Sequence, residues 1–537
     1  MGGCIAALTG YLSFSTQAGA ETKAVPVELP PPSWQPVPSA EETQTLYIRE
    51  YRVVGTKVLP RADVEEAVYS FLGPGRKPED VEGARAALEK SYHDKGFQTV
   101  SVTIPEQRPT KGIIILQVTE ATIGRLRVQG SRYYNIDKIK ARASSLAEGT
   151  VPNFQEVQKQ MITLNQGAGL QVTPQLKPGA IPGTFDVDLV VKDQLPLNGS
   201  VELNNRYSAN TTPLRLDLAL SYNNLWQLGH TIGFGFQIAP MRPSDALVFS
   251  GYYIAPIPGV EWLSFMLQAI RQNSNVSTLG GSAVAGNGEI YGARFLINLP
   301  SKGGFYHNAS VGMDYKHFTQ DLSFGDELTG SPVTYWPVSL SYNAGLVGKG
   351  YETEFAGGVV FSFRGVGSDE IEFDNRRYGA DSNFFYFRGS LAHTQDLPFG
   401  FQAYGQLQGQ ASGVPLVDSE QFSLGGLNTV RGYLESIVLG DSAVAGTLEL
   451  RSPSLLSWLP AGNEWRVFAF SDAGAAYLND PLPEQTSQFN VWSMGFGSTI
   501  KLVDHLNGSV VVGVPLITQA PSFAYQPLIT FRIWGEL

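Results

Sequence analysis

Leu214-Arg215-Leu216-Asp217-Leu218-Ala219-Leu220 alternates strictly, four leucines against an arginine, an aspartate and an alanine. A β-strand sends successive side chains to opposite faces, whereas a helix returns to one face every three or four residues. The stretch therefore reads as a strand with one wholly apolar face and one face that carries charge. The pattern recurs. Ile232, Phe234, Phe236 and Ile238 alternate with Gly233, Gly235 and Gln237. Leu448 and Leu450 alternate with Thr447, Glu449 and Arg451, and Ile529, Phe531 and Ile533 alternate with Thr530 and Arg532. A soluble sandwich would turn the greasy face inward. A transmembrane barrel turns it to lipid and lets the charged face line a wet lumen.

From about Leu195 to the end, roughly 340 residues consist of such segments separated by turn residues, with no helical period. About sixteen segments can be counted, an even number as a bacterial barrel requires. Their approximate centres are Leu203, Leu218, Phe234, Phe249, Phe265, Tyr291, Ala309, Leu340, Val359, Phe385, Tyr404, Thr447, Phe468, Met494, Val511 and Thr530. Tyr252, Tyr253, Trp262, Trp336, Trp465 and Trp534 stand near segment ends, as interfacial girdles do.

Bulk composition narrows the choice. The chain has 537 residues, a formal net charge of −11, 16% charged residues, 58 glycines and 11% aromatics. Its length exceeds the usual size of one compact domain, and its acidity argues against nucleic acid as a partner. No run of about 18 apolar residues exists, so a membrane can be crossed only by a closed barrel. The single cysteine, Cys4, excludes disulfides. Residues 1–20 read as a signal peptide: Cys4 to Leu12 is mostly apolar and Ala18-Gly19-Ala20 is a small-residue cleavage pattern, although no lysine or arginine precedes them. Residues 21–45 form a Pro-rich extended linker that includes Pro30, Pro31 and Pro32.

Between linker and barrel stand two units of one pattern, 46–120 and 121–194. In the first, Leu46 to Val54 is strand-like and Val64, Ala67, Val68 and Phe71 mark one helix face. Pro74 and Gly75 form a break, and Pro78 opens a second helix bearing Val81, Ala84 and Leu88. Phe97 to Ile104 and Gly112 to Val118 read as strands. The second unit repeats the order: a strand from Ile123 to Val128, helices capped by Asn135 and Asn153, and strands from Leu170 to Thr173 and from Thr184 to Val191. Arg52-Val53-x-Gly55 and Arg127-Val128-x-Gly130 occupy the same place in each. Strand–helix–helix–strand–strand used twice resembles the polypeptide-transport-associated (POTRA) domains that precede transporter barrels.

Gln421-Phe-Ser-Leu-Gly-Gly-Leu-Asn-Thr-Val-Arg-Gly-Tyr433 lies in a loop between strand-like runs. Gly425 and Gly426 admit backbone angles that other residues resist. Arg431, between Val430 and Gly432, is a fixed charge that needs a carboxylate partner if the loop folds inward. Phe470-Ser-Asp472-Ala-Gly474 supplies one on a later strand, where Asp472 shares parity with Phe470 and Gly474 while Val467, Ala469 and Ala473 take the other face. The two stretches, Val430-Arg431-Gly432-Tyr433 and Phe470-x-Asp472-x-Gly474, resemble the motifs of outer-membrane two-partner secretion (type Vb) transporters of the haemolysin secretion/activation family. The resemblance implies an outer-membrane barrel with periplasmic POTRA domains and a loop, about 416–439, that enters the lumen. It also implies export of a large unfolded exoprotein. Arg431 is expected to pair with Asp472 on the inner wall, with Glu449 as the alternative partner. Membrane-protein insertases share both motifs and are the second reading. A passive porin, which lacks periplasmic domains, is the third, and a soluble β-rich adhesin is the bland one.

No enzyme is expected. His93, His230, His307, His317, His393 and His505 lack metal-ligand spacing, and neither a Gly-x-Ser-x-Gly elbow nor a phosphate-binding loop is present. No catalytic residue, cofactor, metal, nucleotide or nucleic acid enters the expectation; the partners are an unfolded exoprotein client and outer-membrane lipid. Phe97, Val100, Val102 and Ile104 lie on a run flanked by Pro105 and Pro109. That run is a candidate edge strand able to accept an extended client by β-augmentation.

Overall fold

The structure, a computed structural model, describes residues 45–537 apart from 109–110, 166–168, 275, 278–283, 286, 320, 325–326, 331, 457, 459–461 and 504. The signal peptide at 1–20, the linker up to residue 44 and Pro109 lie outside the described residues. The chain falls into two compact units, residues up to 91 with 102–118, and 92–101 with 119–537.

In the N-terminal part, Glu50–Val54 runs parallel to Ile113–Glu120, and the sheet order places Val100–Thr103 on the other side of that central strand. Helix Arg61–Tyr69 buries Val64 and Val68, and helix Pro78–Asp94 buries Val81, Ala84 and Leu88. The strand expected over Leu46 to Val54 is broken at Arg49. Leu46–Ile48 turns away to pair with Gly73–Arg76, so Pro74 and Gly75 lie in a short strand and not in a simple break. Gly73 and Gly75, both at positive φ, let this short piece adopt its path.

The next sheet has the same topology. Thr122–Gln129 is parallel to Thr184–Asp193, which is antiparallel to Leu170–Pro178. Helix Ile136–Arg142 begins at Asn135, whose Oδ1 accepts the N–H of Asp137 at 2.8 Å. Helix Phe154–Asn165 begins after Asn153, whose Oδ1 accepts the N–H of Gln155 at 3.0 Å. Ile123, Leu126, Ile139, Val157, Met161, Leu164, Val187 and Leu189 form one buried core between helices and sheet.

From Leu197 the chain forms a closed antiparallel barrel of sixteen spanning strands. They are β1 (Leu197–Asn204), β2 (Arg215–Leu225), β3 (His230–Ile238), β4 (Ala246–Ile257), β5 (Val260–Ser274), β6 (Asn287–Asn298), β7 (Phe305–Thr319) and β8 (Val333–Tyr335 with Val338–Gly348). The second half comprises β9 (Tyr351–Phe361), β10 (Phe385–Asp396), β11 (Gln402–Ser412), β12 (Ser442–Arg451), β13 (Glu464–Tyr477), β14 (Gln488–Leu502), β15 (Leu506–Pro515) and β16 (Leu528–Glu536). Every expected centre falls within one of these strands. β8 is interrupted at Trp336-Pro337, because proline has no N–H for the ladder to β7; both of its pieces pair with that strand.

Short turns such as 258–259 and 349–350 close one end, and long connections such as 362–384 and 413–441 leave the other. The β2–β3 turn at the short end meets the second N-terminal sheet unit. Gln227 Oε1 accepts the N–H of Asn135 at 3.0 Å and its Nε2 donates to the Tyr133 carbonyl at 3.0 Å. That end therefore carries the second N-terminal sheet unit and is the periplasmic one.

The barrel closes through β16 and β1 with only five register pairs, from Arg532↔Asn204 to Glu536↔Ser200. Beyond Asn204 the Asn205 carboxamide extends the seam past its last backbone bond: its Oδ1 accepts the Phe531 N–H at 2.7 Å and its Nδ2 donates to the Ile529 carbonyl at 2.8 Å. Arg532 adds two bonds of 2.8 Å to Glu202 across the same seam.

Alternation sorts the faces as expected of a membrane barrel. Leu448, Phe234, Phe496 and Ile529 stand exposed on the outer wall, while Thr447, Asp472 and Thr530 are buried on the inner one. Tyr252 and Trp534 differ from the girdle expectation. Trp534 shares the lumen parity of Arg532, whose guanidinium lies 4.8 Å from its ring centre, and Tyr252 packs over the lumen-facing Gly233.

Candidate functional site

The connection between β11 and β12 folds back against the inner wall. Phe422–Leu424 and Val438–Gly440 pair antiparallel and make it a hairpin. Its apolar side chains Phe422, Leu424, Val430, Tyr433 and Val438 are buried together with Ala443, Ala445, Ala476 and Val491 of the wall. Burying this surface in a water-filled channel is what holds the hairpin inside, since its backbone alone makes few bonds.

Arg431 stands near the hairpin tip, 8% exposed, against a fully buried Asp472 on β13. Nε donates to Asp472 Oδ2 at 2.7 Å and Nη2 to Oδ1 at 2.8 Å, a two-pronged arrangement that fixes direction as well as distance. The main-chain N–H of Arg431 donates to Oδ2 at 3.0 Å as well. Nη1 donates to Glu449 of β12, whose other oxygen accepts Arg451 Nε at 2.7 Å. The two carboxylates named as alternatives thus act together. Phe470 completes the seat: the guanidinium carbon lies 3.7 Å from its ring centre. A cation on an aromatic face in a desolvated site gains further attraction.

The other motif residues serve the fit. Gly432, at φ +89°, lies against the wall so closely that a Cβ would stand 2.9 Å from the carbonyl carbon of Gly513 on β15. Gly426, at φ +92°, would place a Cβ 2.1 Å from Glu435 Oε2. Gly425 gives its N–H to Thr429 Oγ1 at 2.9 Å. Val430 is wholly buried, and the Tyr433 hydroxyl donates to the Ile517 carbonyl at 2.7 Å. Gly474 faces Leu424 of the hairpin.

Several anchors have no signal in sequence. Glu420, at the base of the hairpin, accepts Lys316 Nζ of β7 at 2.6 Å, the Tyr386 hydroxyl of β10 at 2.7 Å, and the hydroxyl of Tyr335 on β8. The β9–β10 connection carries a short helix, Glu370–Arg376, which locks the hairpin from the extracellular side. Arg376 bonds both oxygens of Asp418 at 3.0 Å, and Arg377 bonds a fully buried Asp441. Phe373 of this helix joins Ile290, Phe318, Val333, Tyr335, Phe384, Leu416 and Val417 in an apolar cluster within the barrel. The helix is too short for a periodic pattern, and its arginines look in sequence like solvated charges.

The candidate client strand is shorter than expected. Strand geometry covers only Val100–Thr103; Phe97 lies in a turn whose carbonyl accepts the Val100 N–H at 3.3 Å. Val100 and Val102 are buried and Ile104 is partly exposed beyond the strand. It is a sheet edge, but the Val102 carbonyl accepts Arg85 Nη1 at 3.2 Å and the His93 ring lies 3.2 Å from the Val100 carbonyl. The edge of the second unit is blunted differently. Asn165 holds both main-chain groups of Val172, and Pro174 and Pro178 offer no N–H at all. Among the described residues no cluster of His, Cys, Asp and Glu could hold a metal ion.

A sixteen-stranded barrel preceded in the chain by two sheet-and-helix units, with a pinned hairpin inside, defines an outer-membrane transporter of the POTRA-barrel class. Residues 183–500 match the family model described as haemolysin secretion/activation protein ShlB/FhaC/HecB, and residues 46–121 match the ShlB-type POTRA domain. The chain belongs to that family of two-partner secretion transporters. The outer membrane transporter CdiB of Dickeya dadantii is 22% identical over 476 residues, 87% of this chain and 82% of that protein. The heme/hemopexin transporter protein HuxB of Haemophilus influenzae is 19% identical over 373 residues, 68% of this chain and 64% of that protein. Among solved structures, CdiB from Escherichia coli aligns at a TM-score of 0.61 and 19% identity, covering 94% of this chain and 93% of its own. BamA from Haemophilus ducreyi lacking POTRA domains 1–3 aligns at 0.54 and 12% identity, covering 91% and 100%, a likeness of fold alone.

Proposed function

We propose that this outer-membrane transporter takes one large secreted partner protein, in unfolded form, from the periplasm and passes it through its own barrel. The observation that carries the reading is the hairpin: the lumen is occupied by an element held by ion pairs and apolar contacts that can be undone, not by a permanent part of the wall. A passive porin would gain nothing from such a stopper, and the match to the secretion/activation family favours export over membrane-protein insertion. The apolar outer wall faces outer-membrane lipid. No nucleotide is required, because folding of the client outside the cell supplies direction. The client is first bound at the edge strand Val100–Thr103, once Arg85 and His93 release the carbonyls they cover. Backbone pairing there tolerates many sequences, as a long unfolded client demands.

The test is deletion of this protein followed by comparison of secreted and periplasmic fractions. One large exoprotein should be lost from the medium and accumulate or be degraded within the cell, with outer-membrane protein levels unchanged. Undisturbed secretion with a general fall in barrel proteins would favour the insertase instead.

A further inference from the structure

Strand β11 turns four glutamines and a tyrosine into the lumen: Gln402, Tyr404, Gln406, Gln408 and Gln410 alternate with outward Ala403, Gly405, Leu407, Gly409 and Ala411. At about 3.4 Å per residue the ladder is about 27 Å long along a strand tilted by about 40°, so it rises through about 20 Å, most of the height of a barrel's apolar belt. It begins at the periplasmic β10–β11 turn and ends where the hairpin departs. Thr394, Ala392 and Ser390 of β10 face Tyr404, Gln406 and Gln408, so the middle of the ladder is small and uncharged on that side, while Asp396 and Arg388 stand opposite Gln402 and Gln410 at its ends and Arg388 Nε donates to Gln410 Oε1 at 2.8 Å. On the other side Arg451 and Glu449 of β12 stand opposite Gln402 and Tyr404.

The upper rungs already hold a polypeptide backbone. Gln408 Nε2 donates to the Asn428 carbonyl at 2.7 Å. Gln410 Nε2 donates to the Glu420 carbonyl at 3.0 Å and the Asp441 carbonyl at 3.1 Å. All three acceptors are main-chain oxygens of the hairpin and its return to β12. Lower down, Gln402 Nε2 donates to Asp396 Oδ1 at 2.9 Å, and Gln406, half-buried, makes no side-chain hydrogen bond among the described residues. A primary amide offers donors and an acceptor without charge, so it can bond any main chain whatever its sequence. Each such bond replaces one to water with little net gain, so a chain held at several rungs can still advance.

We infer that Gln402, Tyr404, Gln406, Gln408 and Gln410 form a track that binds the backbone of an extended polypeptide inside the barrel. The hairpin occupies the upper rungs as an internal stand-in for that chain. The inference rests on the export reading and adds the wall along which the client travels. A chain that takes Gln408 and Gln410 must displace the hairpin, so filling the track and freeing Arg431 are one event.

The experiment uses the full chain folded in detergent micelles, with a photoreactive benzoylphenylalanine at position 404 or, on another part of the inner wall, at Ser509. The probe is a long, uncharged, fluorescent peptide of Gly, Ser, Ala and Thr. Position 404 should capture the probe about fivefold more than position 509, as a net gain of one hydrogen bond implies. Gln402→Leu with Gln406→Leu should reduce capture about fivefold, and Gln402→Asn with Gln406→Asn should restore most of it. Folding of each variant is checked by heat-modifiable gel mobility, with Gln406→Leu alone as the milder substitute. Equal capture on both walls, or indifference to the leucines, overturns the track. In Arg431→Ala, capture should extend to a photoreactive group at position 408; its absence there overturns the stand-in role. Capture by a protein whose deletion retains no exoprotein would sink the export reading and leave the track standing.

Discussion

Removing Arg431 should open the hairpin far more than removing its partner does, and the two effects should not add. In Arg431→Ala the fully buried Asp472 keeps only the main-chain N–H of residue 431, and Glu449 keeps only Arg451. Stranding a buried carboxylate in this way costs about 3–5 kcal/mol, and the lost contact with the Phe470 ring adds about 0.5–2 kcal/mol. In Asp472→Ala the guanidinium still holds Glu449 and still lies on Phe470, so the cost is smaller, about 1.5–3 kcal/mol for the charged bonds lost. The double variant strands neither group at β13 and should resemble Arg431→Ala or be milder. The assay reads hairpin opening through Val430→Cys, a wholly buried position in a chain whose one native cysteine is Cys4. Labelling by a membrane-impermeant maleimide should accelerate about three-hundredfold or more in Arg431→Ala and about ten- to a hundredfold in Asp472→Ala, at about 1.4 kcal/mol per decade. If the two single effects multiply in the double variant, to within about 0.5 kcal/mol, the residues are uncoupled and the pairing has no role in holding the hairpin. Arg431→Lys should behave nearly as badly as the alanine, since an ammonium cannot make the fork.

Other perturbations report on separate parts. Gly432→Ala should cost about 1–3 kcal/mol through strain at positive φ and a clash with Gly513, again as faster labelling of Val430→Cys; no change would mean the close approach is unimportant. Arg377→Ala leaves Asp441 with neutral donors only and should cost about 2 kcal/mol, seen as faster proteolysis within 362–384. Asp193 in the second periplasmic unit is desolvated, which raises its pKa. The N–H groups of Tyr133 and Arg132 at 2.7 and 2.8 Å and the Ser131 hydroxyl outweigh this and hold it below the ordinary carboxylate value. Its contribution is therefore present above about pH 4 and lost as the pH falls through its folded value, so the protection of the Tyr133 amide, its exchange relative to the intrinsic rate at each pH, should fall on acidification and Asp193→Asn should flatten that fall. Arg85→Ala with His93→Ala uncovers the edge strand and should increase client crosslinking at Ser101; unchanged crosslinking would argue against that strand as the docking edge.

The barrel is legible in sequence because the wall obeys one rule, a period of two, that lipid on one side and water on the other impose on every strand. The periplasmic units are legible because helices such as Pro78–Asp94 bury a single apolar face. Parity of one strand also separates Asp472 from its outward neighbours, although only a resemblance ties it to Arg431. What sequence hides is anything made across long separations without periodicity. Glu420 gathers Lys316, Tyr335 and Tyr386 from three different strands, and Arg376 and Arg377 reach partners 42 and 64 residues away. Nothing local to those residues distinguishes them from surface charges. The candidate client strand is shorter than its sequence suggests for a related reason: Phe97 looks like a strand residue, but Gly96 and the Phe97–Val100 turn are set by the end of the preceding helix.

The hairpin is held to the wall along an arc of the circumference that runs from β7 to β15. Its tip is fixed to β12, β13 and β15, and Glu420 at its base to β7, β8 and β10. A closed sheet resists changes in perimeter through its ladder but resists flattening only weakly, because bending between neighbouring strands breaks no bonds. An element tied to both ends of such an arc therefore acts as a brace, and the resistance of this barrel to flattening is a property of the closed hairpin as much as of the strands. Freed from it, the ring can become oval, and bending will concentrate where the sheet is thinnest in rungs, at the five pairs between β16 and β1.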